Sequence, residues 1–240
     1  MKYKKIYILI ILGLIISFNA YYITKRIGNY QKQRQIEKRI NKTIDFDQDT
    51  TFISLDFNKL RVLNKDIIGY IEVIGTKISY PIVQGKDNKY YLNHSLDKTK
   101  NETGAIFADY RNDFNNLNKN TIIYGHGLLD GTMFGSLKEV FEDKWLKDKN
   151  KHYIKLTTLN SKMIWEIFSV YTIQKESYYL TTYFSDDKYF NEFINIIKKR
   201  SIYNFSVKVN DKDKILTLST CQNDFGKRIV VHAKLFKEQK

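Results

Sequence analysis

Cysteine is nearly missing from this chain: Cys221 stands alone among 240 residues. One thiol cannot form an internal disulfide, and it leaves a structural zinc site short of ligands. The four histidines, His94, His126, His152 and His232, add no pair with metal-ligand spacing on one element. Proline is equally scarce, with Pro81 the sole example, which rules out Pro-rich linkers and stalks. The sequence carries no internal repeat, no low-complexity tract and no zinc-finger or RNP-like signature. Acidic residues are outnumbered, 26 Asp and Glu against 40 Lys and Arg, and the net charge of +14 attracts polyanions. Nucleic acid, anionic lipid headgroups and acidic cell-wall polymers all qualify. The basic residues are scattered rather than clustered, so nucleic acid is not the expected partner.

Apolar residues make up 42% of the chain and aromatics 15%, which excludes disorder for most of it and allows a well-buried core. The first apolar run is the longest. Ile6 to Ile23 carries no charge, follows Lys2, Lys4 and Lys5, and is just long enough to cross a bilayer. It ends in Phe18-Asn19-Ala20-Tyr21-Tyr22, a poor cleavage site with tyrosines where an interfacial belt belongs. It therefore reads as an uncleaved signal anchor. Lys25, Arg26, Lys32 and Arg34 follow the span, so flanking charge alone leaves its orientation open. Beyond it, Ile27, Tyr30, Ile36, Ile40 and Ile44 recur at three- and four-residue steps and predict an amphipathic helix.

From about Leu60 the pattern turns to strands. They are expected over 67–74, 78–83, 104–108, 121–124, 153–159, 163–174, 205–209, 214–220 and 228–236. Helical spacing marks 133–146, and an amphipathic helix is expected over 186–199 with Phe190, Phe193, Ile194 and Ile197 on one face. Eight or so short strands with helices inserted late predict a mainly β fold, a closed or nearly closed barrel.

Cys221 ends one of these strands, after Ile215-Leu216-Thr217-Leu218-Ser219-Thr220 and before polar Gln222-Asn223-Asp224. A thiol at such a rim is a small core filler or a nucleophile. His126, in Tyr124-Gly125-His126-Gly127, ends another strand with a glycine on each side, a setting unusual for a core histidine. Thiolate and imidazole are the minimum for nucleophilic attack on an amide. Arg228 opens the strand after Cys221, where a guanidinium can steady an oxyanion or simply sit solvated at an edge.

Thr217-Leu218-Ser219-Thr220-Cys221 with Arg228 beyond it and Tyr124-Gly125-His126 upstream resembles the sortase signature. Asp66-Ile67-Ile68-Gly69-Tyr70-Ile71, Tyr80-Pro81-Ile82-Val83-Gln84 and Asp87-Asn88-Lys89-Tyr90-Tyr91-Leu92 look like class B sortases. So do Gly104-Ala105-Ile106-Phe107-Ala108-Asp109-Tyr110-Arg111 and the insertion around Thr182-Tyr183-Phe184-Ser185-Asp186. The resemblance covers about Leu60 to Lys240 and implies a closed eight-stranded barrel, with N-terminal helices and a helix inserted before the last strands. It implies an anchor over residues 1–24, a helical spacer and N-terminal helices over 25–59, and a catalytic domain over 60–240. In class B terms, Cys221 would attack a C-terminal sorting pentapeptide of an exported protein after its threonine. An amine of peptidoglycan precursor would resolve the thioester. His126 would be acid and base, and Arg228 the substrate and oxyanion stabiliser. Asn88, Leu92, Tyr124 and Ser219 would line the peptide groove. The resemblance implies no metal and no other cofactor, and a single-pass topology with the amino terminus cytoplasmic and the domain extracellular. The link from Gln222 to Lys227 is shorter than in many class B members.

Two other classes stay in view. A silent anchored barrel could bind an acidic wall polymer or an exported partner, and would be indifferent to Cys221→Ala. A plain cysteine protease would release its acyl group to water, undiminished by added amine.

Overall fold

Gly75 sits at a φ of 75°, a left-handed backbone that glycine adopts without strain, and there β1 (Ile67–Val73) turns back into β2 (Ser79–Gln84). This hairpin starts an eight-stranded closed barrel, seen in a computed structural model that describes residues 2–41, 52, 55–174, 176–220 and 226–240. The other strands are β3 (Phe107–Ala108), β4 (Asn120–Gly125), β5 (Tyr153–Thr158), β6 (Lys162–Gln174), β7 (Ile215–Thr220) and β8 (Lys227–Gln239). Their order around the barrel is β1-β2-β3-β4-β7-β8-β6-β5. The β2–β3 and β4–β7 pairs are parallel and the rest antiparallel. Closure leaves no open sheet edge, which suits a chain with long runs of Ile, Val and Tyr. Pro81 pairs with Tyr70 of β1 and lies outside the two-residue stretch of β2 that pairs with β3, so its missing N–H costs no ladder bond there.

Side-chain alternation divides the apolar residues among three clusters. Ile71, Ile123, Leu156, Trp165, Leu216, Leu218 and Val231 fill the barrel interior. On one outer face Ile67, Tyr70, Val83, Phe107, Ile122 and Tyr124 pack beneath α2 (Phe57–Leu63), capped by Asp56, whose carboxylate accepts the Lys59 N–H. On the other, Phe168, Tyr171, Ile173, Ile215 and Val230 pack beneath α4 (Asp187–Lys199). Asp186 caps α4 by accepting from Tyr189 N at 2.7 Å, and the apolar face named from the sequence (Phe190, Phe193, Ile194, Ile197) is the buried one. β4 and β7 are covered on both faces, and every residue in them is buried.

Helix α1 (Lys2–Asn41) is continuous, so the apolar run and the amphipathic stretch form one rod of 40 residues. Its segment Tyr3–Ile36 is long and apolar enough to cross a membrane. Gln33 and Ile36 are buried against the domain, Ile36 in the cluster that holds Tyr70 and Tyr124. Lys25 pairs with Glu102 at 2.6 Å, and Gln33 Nε2 approaches Met133 Sδ at 3.6 Å. Ile27 faces outward; the Ile40 side chain and Ile44 lie outside the described residues.

Three expectations differ from the structure, the first being the strand over 104–108, of which only Phe107 and Ala108 pair. The segment 205–209 joins no ladder, and its backbone turns left-handed at Ser206, with a φ of 58°. Its alternation is real, with Phe205, Val207 and Val209 packed inward on the clusters, yet the barrel is already closed and offers no edge to pair with. The helical stretch expected over 133–146 is a 3-10 helix, Gly135–Phe141, and a single turn, α3 (Asp143–Leu146), split where Glu142 adopts an extended backbone at ψ 136°.

Candidate active site

The parallel pairing of β4 with β7 sets Tyr124 opposite Ser219 and Gly125 opposite Thr220. His126 is the residue after Gly125, and Cys221 the residue after Thr220, although Cys221 and 222–225 lie outside the described residues. On the other side of β7, Ser219 pairs with Val230 of β8, and Ile229 N donates to Thr220 Oγ1 at 2.8 Å. Arg228 is next along β8, half-buried, with Nη1 donating to the Tyr179 hydroxyl at 3.2 Å. The Tyr179 hydroxyl also meets Ser219 Oγ at 3.1 Å. Three neighbouring strands thus end together, with His126 and Arg228 at one rim of the barrel.

His126 is held from below. Its Nε2 lies 2.7 Å from the carbonyl of Leu92, which only accepts, so Nε2 carries the proton in this arrangement. Gly104 makes the approach possible: its φ is 62°, and a Cβ there would lie 2.6 Å from Tyr91 O, 2.8 Å from Leu92 O and 3.0 Å from the imidazole Cδ2. The glycines beside His126 differ in their demands. A Cβ on Gly125 would collide with Ile106 and Phe134, at 2.4 and 2.7 Å, whereas one on Gly127 would meet only Thr220 at an ordinary 3.6 Å.

Behind Tyr124 lies a charged cluster that sequence reasoning did not single out. Asp109 is fully buried and accepts from Tyr124 Oη at 2.8 Å, from Asn88 Nδ2 at 2.9 Å and from Arg111 Nη2 at 2.7 Å, all on Oδ2. Its Oδ1 accepts from Arg111 Nε at 2.8 Å and Arg111 N at 3.0 Å. Arg111 Nη2 reaches on to the Leu180 carbonyl at 3.0 Å, and Asn88 Oδ1 accepts from Tyr110 N at 3.0 Å. Burial pushes the Asp109 carboxyl up, but donors from Arg111, Tyr124 and Asn88 outweigh it and hold it below the usual carboxylate range. Burial, with the Asp109 charge beside it, pushes the Tyr124 hydroxyl up. The signal that could have exposed this cluster is an aspartate directly after the apolar run Ile106-Phe107-Ala108, with an arginine two residues on.

Of the groove residues expected from the sequence, Tyr124 and Ser219 are paired neighbours on β4 and β7. Asn88 joins Tyr124 through Asp109, and Leu92 joins His126 through its carbonyl. Among the described residues no group of three His, Asp or Glu side chains is arranged to hold a metal ion.

A sortase-domain family model matches residues 70–236. Sortase B of Listeria monocytogenes is 40% identical over 183 residues, 75% of this chain and 74% of that protein. Sortase B of Staphylococcus aureus is 34% identical over 233 residues, covering 95% of each. The crystal structure of sortase B from Bacillus anthracis superposes with a TM-score of 0.77 at 37% identity, covering 88% of this chain and 99% of that one. An eight-stranded barrel of this topology, matched along nearly its whole length by class B enzymes, identifies the chain as a member of the sortase family of transpeptidases, in class B.

Proposed function

We propose that this protein is a membrane-anchored cysteine transpeptidase that cleaves a C-terminal sorting pentapeptide of exported proteins after its threonine. The observation that carries this reading is the common end of β4, β7 and β8, with Gly125 opposite Thr220 and Thr220 bonded to Ile229. In the reaction the Cys221 thiolate attacks the threonine carbonyl carbon. The Arg228 guanidinium donates to the oxygen that gains charge, a role worth a few kcal/mol when preorganised. The tetrahedral adduct collapses as the imidazolium of His126 gives a proton to the departing amine, leaving a thioester and a neutral imidazole. With Nε2 donating to Leu92, Nδ1 is the nitrogen that exchanges this proton. An amine of peptidoglycan precursor then attacks the thioester, His126 takes its proton, an amide forms and the thiolate is released.

Asn88, Leu92, Tyr124 and Ser219 line the peptide groove in this reading. Residues 1–24 anchor the chain with the amino terminus cytoplasmic, 25–59 connect, and 60–240 form the extracellular catalytic unit. The uncharged run from Ile6 to Ile23 supports the anchor, and the likeness to class B enzymes supports the side on which the domain works.

Full-length protein in detergent, incubated with threonine-containing sorting peptides, should gain the mass of an acyl group on Cys221. Adding a small amine should discharge it as an amide. Cys221→Ala should gain no mass, and His126→Ala and Arg228→Ala should each slow acylation by about a hundredfold or more. A protein that never acquires an acyl group from any such peptide is not a sortase of this type.

A further inference from the structure

Three segments far apart in sequence meet at one buried carboxylate. Asn88 comes from the loop after β2, Tyr124 from β4, and the Leu180 carbonyl from the 3-10 turn Tyr178–Leu180 that precedes α4. Only the second of these is held by a strand ladder. The loop of Asn88 reaches β4 through Asp109, while the turn is tied to β4 both by Asn120, whose Nδ2 donates to the Tyr179 and Thr181 carbonyls at 3.2 and 2.8 Å, and through Arg111 to Asp109. Every group facing the carboxylate is a donor: the Asn88 amide, the Tyr124 hydroxyl, the Arg111 guanidinium and the Arg111 backbone N–H. An amide of the same size would turn an N–H toward at least one of them. A carboxylate is therefore the side chain that fits.

The same bonds fix what the groove residues can offer a ligand. Tyr124 spends its single hydroxyl proton on Asp109, so its oxygen is left as an acceptor. Asn88 commits one N–H to Asp109 and an oxygen lone pair to Tyr110 N, so its amide cannot flip.

We propose that Asp109 is a positioning residue for peptide recognition. Its carboxylate, clamped by Arg111, joins Asn88, Tyr124 and the Leu180 turn into one wall, so discrimination among sorting peptides depends on a side chain that touches none of them. The inference rests on the peptide-groove reading given above. The wall presents Tyr124 as a hydrogen-bond acceptor, suited to an N–H of the peptide. Without the carboxylate the hydroxyl regains its proton as a donor, and the register of the wall is lost.

The test uses full-length protein in detergent with peptides varied at the first two motif positions. Asp109→Asn should raise KM for the best peptide by about tenfold, the size expected for a lost charge-assisted bond. It should narrow the spread of kcat/KM across the peptides while kcat changes by less than about threefold. The pH dependence of Cys221 alkylation should overlay that of the wild type, because the thiol and imidazole are untouched. Tyr124→Phe added to Asp109→Asn should cost less than the two changes cost separately. Arg111→Lys, at a partly exposed position, keeps the charge and one donor, and should raise KM by an intermediate factor; it carries the test if Asp109→Asn does not fold. Unchanged KM and unchanged peptide ranking in the folded variants overturn the proposal. So does an alkylation profile that moves in step with KM, since that marks a general collapse of the site. A wild type that forms no acyl adduct removes the groove reading itself, whereas an active wild type with unaltered variants removes only the role of Asp109.

Discussion

His232 is enclosed on β8 between two hydroxyls, Thr217 Oγ1 at 2.8 Å from Nδ1 and Tyr171 Oη at 2.8 Å from Nε2. Thr217 gives its one proton to Asn120 Oδ1 at 2.6 Å, so Nδ1–H of His232 donates to Thr217 and Nε2 accepts from Tyr171. The ring is neutral and satisfied at both ends, and burial pushes its pKa down to about 3. The consequence for stability has a definite sign. Above pH 6.5 neither folded nor unfolded His232 holds a second proton, and the full stability is present. As pH falls from 6.5 toward 3, the unfolded chain takes up a proton that the folded one refuses, and stability drops by up to about 1.4 kcal/mol per pH unit. Urea melts from pH 7 to 4 should show this, and His232→Gln should be less stable at pH 7 but fall less steeply with acid. An equal slope in both proteins would remove the buried ring from the account. Among the candidate site residues, rarity made some legible: a lone thiol and a glycine-bracketed histidine stand out in any sequence. Asp109 and Arg111 stood out only as part of a family segment, because Asp and Arg are common here and an aspartate after an apolar run does not by itself say that it loses all contact with water.

Helix α4 shows how much an element's own sequence can carry. Asp186 supplies the cap, and four apolar residues at helical spacing supply the buried face. Phe193 is 4% exposed, tilted against Phe184 at 5.0 Å between ring centroids, and sits in the cluster formed with β6, β7 and β8. Phe193→Ala should cost about 3–5 kcal/mol and Asp186→Ala about 1 kcal/mol in denaturant unfolding. The long strands β5 to β8 and the hairpin β1–β2 could be read for the same reason, since alternation or a continuous apolar run tells which faces are covered. β3 could be read only in part: of the strand expected over 104–108 only Phe107 and Ala108 pair, because the chain from Gly104 is committed instead to the floor under His126. The segment 205–209 shows the converse, alternation without a ladder. Pairing depends on whether a neighbouring edge is open, and only the closed barrel decides that.

At the scale of the whole molecule, α1 leaves the apolar run and reaches the domain without a break. Its exposed Lys25–Glu102 pair contributes little, but burial of Gln33 and Ile36 fixes the rod against the loops on either side of His126, those of Glu102 and Met133. Seven residues of helix inserted between Ile23 and Thr24 would lift the domain about 10 Å while nearly preserving its facing. Turnover of soluble peptides should not change, whereas transfer from a substrate tethered to the same vesicle by a short linker should fall. Equal transfer in both proteins would show that the rod sets no distance. With Ile6–Ile23 in a bilayer, the domain meets the rod first at Lys25 and Glu102, about 3 Å of helical rise beyond the span, and last at Ile36, about 20 Å beyond it. The rod then acts as a mooring rather than a mast: it berths the loop before β3, which runs on to Gly104 under His126, beside the lipid surface.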